Sequence, residues 1–524
     1  MNNIITVIFI IASVAGFSCK TEKKQDKNYN NGGFFLDGIK GNDRNNGNVK
    51  NPVKTITRLN ELLESKLDNV YISGGQIYDG TLIIRNRSAG EEDPVSVSSV
   101  GEERAVINGG DGEAIRIENC RNIRVSNIDI KGNGRKTGNI SNGFSLVNSV
   151  NCIIEYIIAE DFQKSGVELY DCRNVEVKKV LAIDNGFCGI NVMGSSLMRS
   201  GNILIRDCMA ENNAGDPTIL DNHSGNGILV GVSDSVTIDH CTATNNGWDM
   251  PRLGNGPVGI WAWQSDHIII QYCISYRNKT SPGAKDGGGF DLDGGVTNSI
   301  IQYCLSYENQ GAGYGLFQYP GASDWSNNII RYCISFNDAL TTEGAGSIFI
   351  WNGSDEAKQL SSCYIHNNVA FNSSAPVISF ENASAHKNFI FCNNIFLCDS
   401  SFFSGSNSGS TFLGNVWWNP KGTTDMMGHK SLAAWAESTH QEMQKGKLRG
   451  IQADPRFYGP LNVNITDPYK LNTLRRYGLR PDSPLKDKGI DIQSIFGKEH
   501  PRTDFFGNPV PQGRAAEPGI YEMN

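Results

Sequence analysis

Short segments in which apolar and polar residues alternate recur along the chain from about residue 120. Alternation with a period of two is typical of β-strands whose two faces lie in different environments. A second set of alternating segments, each opening with glycine, lies between the first set, so that one period is strand, turn, strand and turn over about 20 to 33 residues. Because a single coil cannot bury its own apolar face, the repeat predicts a parallel β-solenoid in which stacked coils share one core.

Two kinds of side chain hold equivalent positions in successive coils. Small apolar thiols in register predict an inward-facing ladder rather than disulfide bonds or metal ligands. The cysteines concerned are spaced by 33, 32, 31 and 29 residues and are Cys208, Cys241, Cys273, Cys304 and Cys333. Asparagines recur at the turn and predict a hydrogen-bonded ladder rather than a binding site; they are Asn185, Asn246, Asn278 and Asn309.

The ends of an open solenoid need covering, because they expose strand edges and core. Residues 55–67 (TITRLNELLESKL) have helical spacing of apolar residues and predict a cap at the N-terminal end. The repeat fades after about residue 400, and residues 431–444 predict a short helix. We therefore predict a β-solenoid with its N-terminal cap over 34–415 and a C-terminal cap region over 416–524.

The first residues predict an export signal. Residues 4–15 form an apolar run of about twelve, which is short for a membrane span and fits the core of a signal peptide. The run ends in Gly16, Phe17, Ser18 and Cys19, which resembles the lipobox of bacterial lipoproteins. We expect a signal peptide over 1–18, lipidation of Cys19 and a flexible tether over 19–33. The alternative is an ordinary secretory signal with a chance cysteine.

Three stretches resemble the right-handed parallel β-helix proteins of the pectate-lyase-like superfamily. Residues 35–56 (FLDGIKGNDRNNGNVKNPVKTI) resemble the opening of secreted members, and the coils with Cys and Asn resemble the generic repeat. Residues 483–491 (SPLKDKGID), with those near Asp504 and Pro518, resemble the C-terminal cap. The resemblance covers about residues 34–524 and implies an all-β, right-handed parallel β-helix. The superfamily contains lyases, hydrolases, epimerases, adhesins and modules without activity, so the resemblance leaves the reaction open.

Alternation also predicts which side chains of the glycine-opened strands point outward. If Ile260 and Ala262 face the core, then Trp261 and Trp263 face outward. The same argument places Asp291 and Asp293 on the outside one coil later, and Phe317 in the coil after that. Flat aromatic faces beside carboxylates suit sugar rings, so we predict a sugar-binding strip made of Trp261, Trp263 and Phe317. The alternative is that a loop covers the strip and the tryptophans merely pack beneath it.

The two aspartates of this strip are candidate catalytic residues. Asp291 and Asp293 are two residues apart on one strand, which separates their Cα atoms by about 6.6 Å. Two neighbouring carboxylates repel each other when ionised, so the pKa of one should rise, as a general acid requires. The other would act as base or nucleophile, with Asp286 as a further candidate. The alternatives are a Ca²⁺ site, which is the cofactor that the sequence leaves open, or a solvated pair without a role.

Long loops near the strip supply further candidates for substrate binding. Cations gathered beside an acidic pair could bind a uronate or a sulfated sugar. The loop residues concerned are His223, Arg252, Arg277, Lys279 and Lys285. In an alternative mechanism, Lys285 or Arg277 is the base of a β-elimination, and the aspartates hold calcium. The third interpretation is that these cations are solvated loop residues that do not contact a substrate.

Charge narrows the classes of function that remain. The net charge is −8 and the isoelectric point about 5.6, which disfavours a nucleic-acid partner. We predict a monomeric, surface-anchored bacterial lipoprotein at the outer membrane or cell surface, with a lipid anchor as its membrane contact. Its predicted activity is degradation of an extracellular polysaccharide, by a glycoside hydrolase rather than a polysaccharide lyase. The alternative function is a non-catalytic glycan-binding or structural β-helix.

Overall fold

Parallel strands stacked into coils make up most of the molecule. The computed structural model describes residues 32–197, 199–382, 385–422, 425–498 and 501–523. Within these ranges the strands form a 12-stranded and a 25-stranded parallel sheet and one short antiparallel pair. The predicted all-β parallel β-helix is confirmed. The predicted signal peptide, the lipidation site Cys19 and most of the predicted tether lie outside the described residues.

The 12-stranded sheet, which we call the cleft sheet, contains the glycine-opened strands of the repeat. Each strand pairs in parallel with the equivalent strand of the coils before and after it, as in the pairing of Val258–Trp263 with Gly288–Leu292. Its strands are Leu82–Arg85, Ile115–Glu118, Phe144–Val147, Ser165–Tyr170, Cys188–Met193, Asn226–Gly231, Val258–Trp263, Gly288–Leu292, Tyr314–Gln318, Ile348–Asn352, Ile378–Asn382 and Phe403–Ser404.

The 25-stranded sheet bends within the coils and supplies the other two faces of the solenoid. Two long strands, Val150–Glu160 and Arg173–Ile183, pair with strands of both faces and join them. The remaining strands of one face are Phe34–Leu36, Val70–Ser73, Val95–Val100, Ile123–Ser126, Gly201–Arg206, Asp234–Asp239, Asp266–Gln271, Ile300–Gln302, Trp325–Arg331, Leu360–His366, Lys387–Cys392 and Ser410–Leu413. Those of the other face are Ile77–Asp79, Ala105–Gly110, Ile128–Gly132, Met209–Glu211, Thr242–Thr244, Ile274–Tyr276, Leu305–Tyr307, Ile334–Phe336, Val369–Asn372, Ile395–Cys398 and Val416–Trp418.

The core is filled by ladders of equivalent side chains, as the alternation predicts. Ile260, Ala262, Phe290 and Leu292 are all fully or almost fully buried in one continuous apolar cluster. The twelve cysteines of the described residues are free thiols and buried, including the five predicted to form a ladder. The ladder interpretation is therefore confirmed, and the alternative of disulfide bonds is wrong.

Asparagines form two hydrogen-bonded ladders along the solenoid, each ending in a buried acid. In the first ladder Asn278 Nδ2 donates to Asn309 Oδ1 at 3.0 Å, and Asn309 Nδ2 donates to Asp338 Oδ1 at 2.8 Å. The same contacts connect Asn185, Asn213, Asn246 and Asn278. The second ladder connects Asn368, Asn394 and Asn415 and ends at Glu442. The predicted asparagine ladder is confirmed, and it is longer than the four residues that the repeat indicated.

A helix covers each end of the solenoid. Ile56–Ser65 buries its apolar face against the first coils, and the Thr55 hydroxyl accepts a hydrogen bond from the Arg58 backbone amide at 3.2 Å. At the other end, Leu432–Thr439 places Trp435 edge-on against Trp417 with ring centroids 5.9 Å apart. The last parallel strand, Val416–Trp418, extends slightly past residue 415, where we predicted that the solenoid ends.

After the second helix, Glu442 and Ile451 still cover the last coil through hydrogen bonds to Asn415 and Trp417, and the chain beyond them runs back along one side of the solenoid. Tyr303 Oη donates to the Thr503 carbonyl at 2.9 Å, and Tyr307 Oη donates to the Ile465 carbonyl at 3.2 Å. None of the described helices is long and apolar enough to cross a membrane. The short elements outside the solenoid are Ala357–Gln359, Met443–Gln444, Lys447–Leu448, Pro468–Thr473, Arg475–Tyr477 and Ile492–Phe496.

Candidate active site

The register of the cleft sheet brings the predicted strip together on its outer face. Trp261 pairs with Asp291 in the next strand, and Asp291 pairs with Gly315 in the strand after that. Phe317 pairs with Trp351 one strand further along. The side chains between them in sequence fill the core, so the strip faces outward as alternation requires.

A cleft of about 780 Å³ lies over this strip. Loops from the preceding coils and from the coils that follow form its walls, and the strip forms its floor. The cleft is lined by Asp221, Asn222, His223, Arg252, Gly254, Asn255, Gly256, Val258, Trp261, Trp263, Lys285, Asp286, Asp291, Asp293, Phe317, Tyr319, Pro320, Phe349, Trp351 and Glu381.

The aromatic side chains of the floor are more buried than the open platform that the sequence suggested. Trp261 is only 4% exposed, because its indole donates to Asn226 Oδ1 at 3.1 Å and packs edge-on against His223. Trp263 covers Gly231, where an added Cβ would lie 2.6 Å from the indole nitrogen. The expectation of exposed tryptophans is wrong for Trp261, since loops that pack over a strand cannot be deduced from alternation alone.

Three carboxyl groups meet in the cleft with different hydrogen-bond partners. Asp293 Oδ1 accepts from the Gly294 backbone amide at 2.7 Å, and Asp286 Oδ2 accepts from the Gly256 amide at 2.7 Å. Asp291 is 3% exposed, and its Oδ1 has no hydrogen-bond partner among the described residues. A buried oxygen of this kind that faces a cleft is positioned to meet a ligand atom.

Burial raises the pKa of all three carboxyl groups. Desolvation raises the pKa of Asp291 well above its usual range, and the neighbouring charges of Asp293 and Asp286 raise it further. Desolvation raises the pKa of Asp293 to about 7 against the hydrogen bond from Gly294, with a smaller contribution from Asp286. Desolvation raises the pKa of Asp286 to about 6, opposed by the Gly256 amide and by Lys285 and Arg252. Asp291 therefore retains its proton at pH values where the other two can ionise.

His223 is a neutral hydrogen-bond donor at the wall of the cleft. Because Asn226 Oδ1 accepts from Trp261, the Asn226 Nδ2 group faces His223 Nδ1 at 3.1 Å and donates to it. The proton of the imidazole is therefore on Nε2. Desolvation and the Arg252 charge lower the pKa of His223 to about 4, so that the ring is uncharged near neutral pH.

The predicted cations separate into two groups. Arg252 and Lys285 line the cleft, as expected. Arg277 and Lys279 do not: Arg277 Nε binds Glu308 Oε2 at 2.8 Å, and Lys279 lies in the turn where its backbone amide donates to the Asn246 carbonyl. The expectation that Arg277 and Lys279 contact the substrate is therefore wrong for this structure. Both residues flank Asn278 of the asparagine ladder, whereas Lys285 lies later in the same loop, next to Asp286.

Sequence reasoning missed several residues on the side of later coils. Phe349 and Trp351 line the cleft and stand in the register of Gly315 and Phe317. The segment Ile348–Asn352 shows the same alternation as the strands before it, so extending the strip by one coil would have found both aromatic residues. One coil further still, Glu381 in Ile378–Asn382 pairs with Trp351 and follows from the same alternation, whereas Tyr319 lies just past the end of Tyr314–Gln318 and carried no such signal.

The cleft aspartates do not form a preassembled cation site. Among the described residues, the one group of three metal-binding side chains with ligand atoms within 4.8 Å of one another is Asp234, Asp266 and His267, which is not part of the cleft lining. For the alternative of Ca²⁺ at Asp291 and Asp293, no third side chain of this kind lies within that distance among the described residues.

This fold and its outward-facing cleft define a right-handed parallel β-helix protein. The chain belongs to the family described as "Right handed beta helix region", whose model matches residues 37–220 and 197–359. No curated protein sequence gives a significant match.

Solved structures with similar folds include several that carry the names of carbohydrate-active enzymes. A GH136 lacto-N-biosidase from Eubacterium ramulus is 15% identical, with a TM-score of 0.50 over 68% of this chain and 67% of that one. The A-module of mannuronan C-5 epimerase AlgE4 from Azotobacter vinelandii is 13% identical, with a TM-score of 0.50 over 68% and 94%. Pectate lyase Pel9A is 13% identical, with a TM-score of 0.40 over 94% and 96%. At these identities, the likeness to the first two structures shows a shared fold.

Proposed function

We propose that this protein hydrolyses a glycosidic bond of an extracellular polysaccharide in the cleft. The observation that supports the proposal is that Asp291 and Asp293 lie side by side in a cleft that is also lined by aromatic rings. Glycoside hydrolases use two such carboxyl groups, one protonated and one ionised. Burial and mutual repulsion produce that difference here, as the order of the three pKa values indicates.

In this mechanism Asp291 donates its proton to the leaving oxygen. Its raised pKa keeps the carboxyl protonated, and Asp291 lines the cleft in which the glycosidic oxygen would lie. Asp293 in its ionised form either removes a proton from the water that attacks the anomeric carbon or attacks that carbon itself. The indoles of Trp261 and Trp263 and the ring of Phe317 contact the sugar, while the His223 Nε2 proton is available to a hydroxyl group.

A screen of the purified protein on plant, algal and host polysaccharides tests this proposal. New reducing ends without absorbance from unsaturated uronates are the expected result. Unsaturated products whose formation stops with EDTA would instead support a calcium-dependent lyase with Lys285 as base. Binding without any new reducing end would support the non-catalytic function. Export and attachment through Cys19 are part of the proposal, because a polysaccharide substrate lies outside the cell.

The pH dependence of hydrolysis should change when Asp286 is replaced by Asn. Activity requires ionised Asp293, so it should rise as pH increases through about 7, and it should fall when Asp291 loses its proton. The charge of Asp286 raises the pKa of both groups, so its removal lowers both pKa values. We expect the whole pH profile of kcat/KM to move to lower pH. An Asp286→Asn variant without activity at any pH would instead make Asp286 the base.

Gly315 is expected to be required for the shape of the catalytic site. A Cβ atom at this position would lie 2.8 Å from the Phe317 ring and 3.0 Å from Asp291 Oδ1. We expect Gly315→Ala to lower kcat by about tenfold or more, because small displacements of reacting groups are costly. In the control Gly90→Ala, the added Cβ would lie 3.9 Å from its nearest neighbour. Equal turnover of the two variants, at equal melting temperatures, would contradict this role of Gly315.

A further inference from the structure

The cleft is closed at one of its ends along the solenoid axis. On one side, Leu229 points outward in the strand next to Trp261, yet it is completely buried in a cluster with Trp261 and Val258. His223, between Phe187 and Trp261, covers this end. A polymer therefore cannot continue along the sheet past Trp261.

The opposite end has a second group of aromatic side chains, beyond which the cleft continues to the exposed Glu381 in the next strand. Phe349 is 9% exposed and meets Phe317 edge-to-face with centroids 5.2 Å apart. Ala339 and Ala345 of the adjacent loop pack on the same cluster. Four strand spacings separate Trp261 from Glu381, so the floor of the cleft is about 19 Å long.

Loops also close the cleft in the direction of the strands. The segment from Arg252 to Gly256, together with Asp286, borders the side where the strands begin, and Tyr319 with Pro320 borders the side where they end. The site is therefore a pocket that ends at Trp261, is bordered by loops on both sides and can be entered from the side of Glu381. Its volume of about 780 Å³ falls in the range of pockets that enclose a single small ligand.

Arg252 is a cation in this pocket that lacks an ion pair among the described residues. Its guanidinium lies against Gly254, where an added Cβ would be 2.6 Å from Nε, so the glycine leaves it room. Lys285 differs, because its ammonium group faces Glu381 at 3.9 Å. A guanidinium group binds carboxylate and sulfate groups with two parallel hydrogen bonds, which an ammonium group cannot do.

We infer that the pocket binds the end of a glycan chain and that Arg252 selects ends that carry a carboxylate or sulfate group. The identity of the ligand as a sugar rests on the proposed function. The prediction concerns binding, so it can be tested without any turnover. Arg252 is a specificity-determining residue in this inference, and the reacting carboxyl groups remain Asp291 and Asp293.

Binding of simple sugars to the intact protein tests the choice of an anionic group. The probes are D-glucuronate, D-galacturonate and D-galactose 6-sulfate, compared with D-glucose and D-galactose, observed by saturation-transfer NMR and by tryptophan fluorescence. We expect at least one acidic sugar to bind about tenfold or more tightly than its neutral parent. The carboxylate and sulfate probes distinguish the two sources of charge.

Two arginine variants provide the matched comparison. Arg252→Gln should weaken binding of the acidic sugar about tenfold or more, and Arg252→Lys should restore only part of it. Arg277→Gln removes an arginine that binds Glu308 away from the pocket, so it should leave binding unchanged. Equal binding of neutral and acidic sugars, no binding of any acidic sugar, or full binding by Arg252→Gln would overturn the selection by Arg252.

A length series tests the recognition of chain ends. For the acidic sugar that binds best, a short oligosaccharide and its long polymer are compared at equal mass concentration. If the pocket binds the ends of glycan chains, binding should increase with the number of chain ends and should therefore be stronger for the short chains. Equal binding per unit mass would show that internal sugar residues of the polymer enter the pocket, and it would overturn the recognition of chain ends. Binding without hydrolysis on any glycan would retain this inference and reject the proposed function, whereas hydrolysis without an anionic preference would do the reverse.

Discussion

Replacing Asp293 by Asn should lower kcat for glycan hydrolysis by about 10²- to 10⁴-fold, which is the contribution typical of a general acid or base. The amide keeps the size of the side chain but cannot take a proton or attack the anomeric carbon. Because Asn carries no charge, the desolvation that raises the pKa of Asp293 is relieved, and the fold should be at least as stable. The measurement is kcat on a polysaccharide found in the screen, together with the melting temperature.

Binding of the same glycan separates catalysis from recognition in this variant. Asp293→Asn should bind the substrate with an affinity within a few-fold of the unchanged protein, because the aromatic side chains that line the cleft remain. Asp324→Asn is a suitable control, because Asp324 is exposed and is not part of the cleft lining. Full turnover by Asp293→Asn would remove this carboxyl group from the mechanism. Loss of binding and melting temperature together would indicate a structural role instead.

Asn278→Ala should destabilise the folded protein by roughly 3 kcal/mol or more. Asn278 is 1% exposed; its Nδ2 donates to Asn309 Oδ1 at 3.0 Å, and its Oδ1 accepts from Asn246 Nδ2 at 2.9 Å. Alanine removes the acceptor of the buried Asn246 backbone amide and one of the two hydrogen bonds of Asn246 Nδ2 and of Asn309 Oδ1, at about 1–3 kcal/mol for a buried group that loses its partner. Unfolding in urea measures the change in the free energy of unfolding.

An exposed asparagine supplies the comparison for this stability effect. Asn472 lies on the surface of the short helix Pro468–Thr473, so Asn472→Ala should change the free energy of unfolding by about 0.5 kcal/mol or less. Similar decreases in the free energy of unfolding for the two variants would mean that the hydrogen bonds of the ladder contribute little to stability. A glycan-binding assay on Asn278→Ala below its unfolding transition should show an intact cleft.

The fold and the floor of the cleft could be predicted because both depend on local periodicity. A repeat with alternating apolar residues places Phe290 and Leu292 in the core, and this fixes Asp291 on the outside. Equivalent strands of neighbouring coils pair in register, so residues about 30 positions apart, such as Trp261 and Asp291, become neighbours. The cysteine and asparagine ladders follow from the same regularity.

The walls of the cleft could not be predicted in this way, because they consist of loops that differ in length from coil to coil. Nothing in the alternation shows that His223 packs on Trp261, or that Arg277 binds Glu308 on another face. The path of the C-terminal segment likewise depends on contacts between distant parts of the chain, such as Tyr303 with Thr503. Such contacts depend on three-dimensional shape, which a one-dimensional pattern does not encode.

Each of the two asparagine ladders has a direction along the solenoid axis, and each ends at an acid. Every internal amide donates toward later coils and accepts from earlier ones, whereas Asp338 and Glu442 accept at the end of each series. A duplicated coil inserted between two asparagines would find a matching donor and acceptor above and below it. A coil inserted directly after either acid would meet an amide series that has already terminated. Lengthening of this protein, by gene duplication or by engineering, should therefore succeed within a series and fail at its boundary.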